Sequence, residues 1–188
     1  MPKSQTQNAK IAAAALRLAA ARGWENVTFD ALAKAAKISP AILKKHFASP
    51  NDIIPVVIEE ITRETLASAG KTRGSPRDVM FDLLMSRFDV LQKNRKAVLS
   101  ITETARRDHS LACVLARAVL KSIGTTIDAA KIETPPRSVL IAGASAVYAW
   151  AFLAWRRDKT RDMSKTMAAL DRALRLAGKI SELVIQNS

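Results

Sequence analysis

One cysteine, Cys113, and two histidines, His46 and His109, are all that the chain has of the side chains most used for disulfides and transition metals. A lone thiol closes no internal disulfide, so a reducing, cytoplasmic setting is expected. Cys113 stands among apolar neighbours in LACVLARAVL and is expected in the core. No Cys/His pair has metal-ligand spacing, so no metal centre and no cofactor are expected. Glycines number six. None of them forms a phosphate-cradling loop after a strand, because no stretch reads convincingly as a strand. Ser, His and Asp occur without a spacing that assembles a triad, and Glu103 and Asp108 near His109 read as ordinary helix-end charges. No enzyme is expected. Residues 1–8 also lack the basic-then-apolar pattern of a secretory signal.

Positive charge is abundant. Thirty Lys+Arg face 17 Asp+Glu, a formal net charge of +13. Its distribution is uneven: residues 1–70 carry 9 against 6, residues 71–188 carry 21 against 11. A basic body of this kind attracts DNA, anionic ligands or acidic lipid headgroups without naming one of them. With 48% apolar residues and few glycines, the composition is that of a folded helical protein.

Two short helices near the N-terminus carry the clearest local signals. The segment IAAAALRLAAARG places Ile11, Ala15, Leu18 and Ala19 on one helical face and stops at Gly23, with Trp24 plugging the turn. Thr28 then caps a helix with Phe29, Leu32, Ala33 and Ala36 on one face and Asp30 in its first turn, where the helix dipole favours an anion. Lys37-Ile38 breaks the period. Ser39 supplies a second cap, Pro40 takes the first helical position, and the next helix runs to about His46. Its outward residues, Ser39, Ala41, Lys44, Lys45 and His46, give a short helix with a basic tip, which suits a major groove.

The ordered pieces IAAAALRLAAARGW, VTFDALAKAAKIS, ILKKHF and ASPNDIIPVVIEEI, within Ile11–Ile61, resemble the DNA-binding head of the tetracycline-repressor (TetR) family of bacterial transcription regulators. The resemblance implies an all-α fold of about nine helices, an N-terminal three-helix head with a helix-turn-helix, and a helical ligand-binding and dimerisation body. It also implies contacts with double-stranded DNA from Thr28, Ser39, Lys44, Lys45 and His46. This chain departs from the family where Ala41, Ile42 and Lys44 stand. Ile42 removes a hydroxyl contact, and Lys44 supplies a point charge for phosphate.

Ser49 and Pro50 are expected to start a fourth helix reaching about Gly70, with Pro55 bending it beyond its first turn. The breakers KTRGSP at 71–76 suggest an interruption after this linker helix (50–70), giving domains 1–50 and 51–188. Helices follow at 76–93, at 94–105 with Asn94 as cap, and from about 111 to 130, before IETPP. Arg137 to Arg157 encloses SVLIAGASAVYAWAFLAW, long enough for a membrane span, but its Ala and Gly content favours a packed helix. In the last helix Met163, Met167, Leu170, Leu174, Ala177, Ser181 and Val184 alternate steps of four and three, a packing seam. Ala142, Ala146, Met167, Leu170, Leu174 and Ala177 are therefore expected at a two-fold homodimer interface. Phe88, Tyr148, Trp150 and Phe152 are expected to wall a pocket for a small apolar or amphipathic effector.

A second resemblance is shorter. Trp155 to Asp158 and the run Leu170-Asp171-Arg172-Ala173-Leu174 look like the C-terminal part of the ubiquinone-biosynthesis lipid-binding family, built on the same fold. It implies an isoprenoid or phospholipid ligand, a membrane surface as partner and no specific DNA binding. The first reading is a ligand-responsive transcription regulator, a repressor on a palindromic operator. The alternative is this lipid-binding accessory role.

Overall fold

The computed structural model describes residues 3–70, 74–132 and 136–186, with side chains from residue 5 to residue 179. Among them the chain forms nine α-helices, two 3-10 turns and no strand. The helices are α1 (Lys3–Arg22), α2 (Phe29–Ala36), α3 (Pro40–His46), α4 (Ile54–Ala69), α5 (Pro76–Lys93), α6 (Arg95–Ala105), α7 (His109–Ala130), α8 (Arg137–Arg157) and α9 (Ser164–Gln186), with the 3-10 turns at Trp24–Asn26 and Pro50–Ile53. The all-α plan with an N-terminal helix-turn-helix is as the sequence implies. Lys71 to Arg73 of the expected break and Glu133 to Pro135 of IETPP lie outside the described residues, as do the side chains of Ser181 and Val184.

The chain divides into two compact units, Met1–Glu64 with Val90–Ser122, and Thr65–Asp89 with Ile123–Ser188. In the first unit α1 packs on α2 and α6, and α2 packs on α3. Ile11, Ala15, Leu18 and Ala19 are buried, as their spacing requires, and they meet a core that includes Leu32, Leu43, Ile53, Val57 and Ile101. In the second unit α8 packs along α9. Its core holds Leu84, Phe88, Trp155, Leu170 and Leu174, with Phe88 stacked on Tyr148 at 5.6 Å and Phe152 tilted on Trp155 at 5.3 Å. The buried guanidinium of Arg87 lies 5.2 Å from the Tyr148 ring centroid, a cation–π contact.

Three local expectations are corrected. Ser49 and Pro50 open the 3-10 turn, and α4 begins only at Ile54. Pro55 is thus in the first turn of α4 rather than beyond it, where its missing N–H removes no bond between turns of that helix. Asn94 sits at the N-cap of α6, yet its side chain turns back and donates to the Val90 carbonyl at 3.1 Å. Cys113 is exposed, because α7 presents a different stripe, with Leu111 and Ala118, to the interior. By length and composition α7 and α8 could each cross a bilayer. In this fold α8 buries Val147, Tyr148, Ala151 and Trp155 against protein instead.

Candidate nucleic-acid interface

The helix pair is built by caps. Thr28 is extended, and its Oγ1 accepts from the Ala31 N–H at 3.3 Å to open α2. The helix closes at Lys37, which takes the left-handed conformation (φ 57°) and donates its N–H to the Ala33 and Lys34 carbonyls. Two residues later Ser39 accepts from the Ala41 N–H at 3.3 Å, and Pro40 starts α3. Leu32, Ala33 and Ala36 of α2 and Leu43 of α3 are buried, which leaves α3 one inward anchor. Thr28→Ala is expected to destabilise the chain by about 1 kcal/mol through loss of this cap, read as a lowered urea midpoint in circular dichroism.

Lys44, Lys45 and His46 fill the last turn of α3 and are exposed. Cations there also meet the negative end of the helix dipole. Thr28 and Ser39 are exposed as well, and each hydroxyl, engaged as an acceptor, keeps its own O–H for donation. The structure therefore brings Lys44, Lys45 and His46 onto one seven-residue helix, with Ser39 at its N-cap and Thr28 at the N-cap of its partner. Ile42 is 40% exposed beside them. On a groove-reading helix such a side chain can contact only apolar base edges, the thymine methyl above all.

What holds the pair in place is spread far along the chain. Arg17 donates from Nη2 to the Ala35 carbonyl at 2.9 Å and ties α1 to α2. Trp24, buried, donates its backbone N–H to Ser100 Oγ at 2.8 Å and its indole N–H to Asn51 Oδ1 at 3.0 Å. Asn51 in turn donates to Asp108 Oδ2 at 3.1 Å, and Asp108 Oδ1 accepts from the Leu111 N–H at 3.1 Å. That backbone bond is the main reason the Asp108 carboxyl is held below its ordinary range. Asn51 and Ser100 are supporting residues that sequence reasoning did not single out, and Asp108, read there as an ordinary helix-end charge, joins them. A cleft of about 700 Å³ opens beside this network, lined by Trp24, Glu25, Asn51, Ser100, Arg107 and Asp108.

The body residues fare differently. Phe88, Tyr148 and Phe152 come together, whereas Trp150 is 59% exposed and away from them, and none of the four lines the cleft. Tyr148, Phe152 and Trp155 follow the helical steps of four and three, and Trp150 falls between them. Ala142, Ala146 and Met167 are exposed and Ala177 half-buried, but Leu170 and Leu174 are buried inside their own unit. The seam of α9 has its partner within the chain at those two positions.

Residues 11–54 match the family model for bacterial regulatory proteins of the tetR family. The whole chain is similar in fold to a TetR transcriptional regulator from Rhodococcus sp. RHA1, with TM-score 0.71, 19% identity, and 93% of this chain and 97% of that one covered. It is similar again to the TetR transcriptional regulator from Nitrosomonas europaea ATCC 19718, with TM-score 0.70, 20% identity and coverages of 91% and 97%. Residues 11–54 thus carry the pattern of a tetR-family DNA-binding head. The matched segment spans both helices of the pair, from Ile11 on α1 to Ile54 at the start of α4. The two solved structures extend the likeness to the body as fold alone. No curated protein matches the chain.

Proposed function

We propose that the chain is a cytoplasmic, homodimeric transcriptional repressor that places α3 in successive major grooves of a palindromic operator. The observation that carries this reading is the doubly capped helix pair, with Lys44, Lys45 and His46 exposed at the end of α3 and braced by α1 and Trp24. Lys44 and Lys45 act on phosphate as point charges, Ser39 and Thr28 donate hydroxyls to phosphate, His46 reaches base edges or phosphate, and Ile42 meets a thymine methyl. In this reading residues 1–50 are the head, and residues 51–188 hold the dimer contact and the effector. The two heads of a dimer meet half-sites about 34–36 Å apart, or a multiple of that.

A second copy is supported by an exposed apolar row on α8, Val139, Ala142, Ala146, Trp150 and Leu153, with Met167 and Leu176 exposed on α9. Soluble monomers rarely leave a long apolar row open to water. The aromatic group of Phe88, Tyr148 and Phe152, next to the buried cation of Arg87, supports an apolar or amphipathic effector in the body. Such a ligand changes DNA affinity only as far as it prefers one arrangement of the heads.

The test is retardation of the DNA flanking the chain's own gene over a salt series. Specific retardation is expected for the wild type, with a loss of tenfold or more in affinity for Lys44→Ala/Lys45→Ala, about 1.4 kcal/mol. Steep, sequence-independent binding equal in both proteins, together with lipid that copurifies, would sink the regulator and leave the lipid-binding accessory role.

A further inference from the structure

Ten residues at the junction of α8 and α9, Arg156 to Lys165 (RRDKTRDMSK), contain five cations and two aspartates. Both aspartates accept hydrogen bonds within the turn, Asp158 from a buried position and Asp162 from an exposed one next to Arg161. Asp158 is buried, and its Oδ1 accepts from the Thr160 N–H (3.0 Å) and hydroxyl (2.5 Å), its Oδ2 from the Thr166 N–H and hydroxyl (both 2.8 Å). Asp162 Oδ1 accepts from the Ser164 N–H at 3.2 Å, which Thr160 Oγ1 also receives at 3.1 Å. The backbone is thus fixed from inside while Arg157, Lys159, Arg161 and Lys165 stay exposed. Among the described residues none of these four has an acidic partner. Arg63, Arg106, Arg107, Arg137 and Arg175, by contrast, each meet a carboxylate.

We propose that this turn is a phosphate-binding surface that holds the backbone of duplex DNA outside the helix-turn-helix. It rests on the DNA-binding reading above. Four cations free of carboxylates on a rigid frame, interleaved with the hydroxyls of Thr160 and Ser164, match a row of phosphates, and little ordering entropy opposes the contact. A bilayer surface fits less well. Binding there needs apolar side chains to enter beside the cations, and the turn's one large apolar residue, Met163, is buried. The exposed Trp150 and Leu153 lie one to two turns back along α8 in the row assigned to the second copy.

The experiment is anisotropy of the full chain on a labelled duplex of arbitrary sequence over a salt series, run beside flotation with vesicles of phosphatidylcholine and phosphatidylglycerol. Replacing Arg157, Lys159, Arg161 and Lys165 by alanine is expected to make the slope of log K against log salt shallower by about 2–4 per protomer, since each phosphate contact contributes about 0.9. The exchange Arg157→Lys/Lys159→Arg/Arg161→Lys/Lys165→Arg is expected to keep the wild-type slope. Lys159→Ala/Lys165→Ala, confined to two exposed side chains, carries the same test with a loss of about 1–2 if the fourfold variant folds poorly. A wild-type slope in the folded alanine variants overturns the proposal. If Lys44→Ala/Lys45→Ala still abolishes specific retardation in that case, the DNA-binding reading stands without the turn. Loss of vesicle binding with duplex binding unchanged overturns the proposal in favour of a membrane surface.

Discussion

Replacing Trp155 by alanine is expected to lower the stability of the chain by about 3–5 kcal/mol. Its indole is fully buried, 5.3 Å from the Phe152 ring and 6.5 Å from the Phe88 ring. Removing it deletes most of the side chain's transfer free energy and leaves a cavity that three ring systems cannot fill by small shifts. Phe88 also stacks on Tyr148, the ring beneath Arg87, so the loss reaches a buried cation whose placement depends on that packing. Trp150 is the control, the same residue type five positions away but 59% exposed. Trp150→Ala is expected within about 0.5 kcal/mol of wild type for the folded chain itself. In the dimeric reading its effect falls instead on the monomer–dimer equilibrium. Urea unfolding at fixed protein concentration separates the two, with the dimer followed by sedimentation. A loss below about 1 kcal/mol for Trp155→Ala would mean that the aromatic cluster is not the core of its unit.

The contrast between these tryptophans also shows what the sequence makes legible. Caps are local: Thr28 with Ala31, and Ser39 with Pro40 and Ala41, act within three residues, and the chain at those positions reads directly as helix starts. The head follows from them and from the single apolar face of α1. Its bracing does not, because Trp24 meets Ser100 and Asn51 meets Asp108 across separations of 76 and 57 residues, and no local pattern encodes such pairs. Periodicity marks an apolar face but is silent about what covers it. Leu170 and Leu174 on α9 keep the spacing of an interface, yet they are covered by their own unit, while Ala142, Ala146 and Met167 remain open. Trp150 could have been placed from spacing alone, since helical steps link Tyr148, Phe152 and Trp155 and leave it out. Asp158 could not, because a polar six-residue turn gives no sign of which carboxylate faces inward.

Asp158→Asn is expected to cost about 2–4 kcal/mol at pH 7, the second large effect in this chain. Only 3% of the residue is exposed, and its two oxygens together accept four hydrogen bonds from Thr160 and Thr166, the second of which is fully buried. An amide supplies one acceptor oxygen and turns an N–H2 toward either the Thr160 or the Thr166 donors, so one donor pair loses its acceptor and meets another donor. Burial pushes the Asp158 carboxyl up, but the bonds from Thr160 and then Thr166 outweigh it and hold the group well below the usual carboxylate range. Its folded value therefore lies under the unfolded value of about 3.9. The carboxylate's contribution is fully present above that unfolded value and is lost as pH falls through the folded one. Wild type and Asp158→Asn should thus differ by a constant amount from pH 7 to about pH 5, and the gap should narrow below about pH 4. Trp155→Ala, which touches no titrating group, should keep its deficit across the same range. Urea midpoints at pH 7, 5, 4 and 3 measure both. A gap between wild type and Asp158→Asn that stays unchanged to pH 3 is compatible with loss of shape or of neutral hydrogen bonds, and only narrowing on acidification assigns the stability to the charge that fixes the turn.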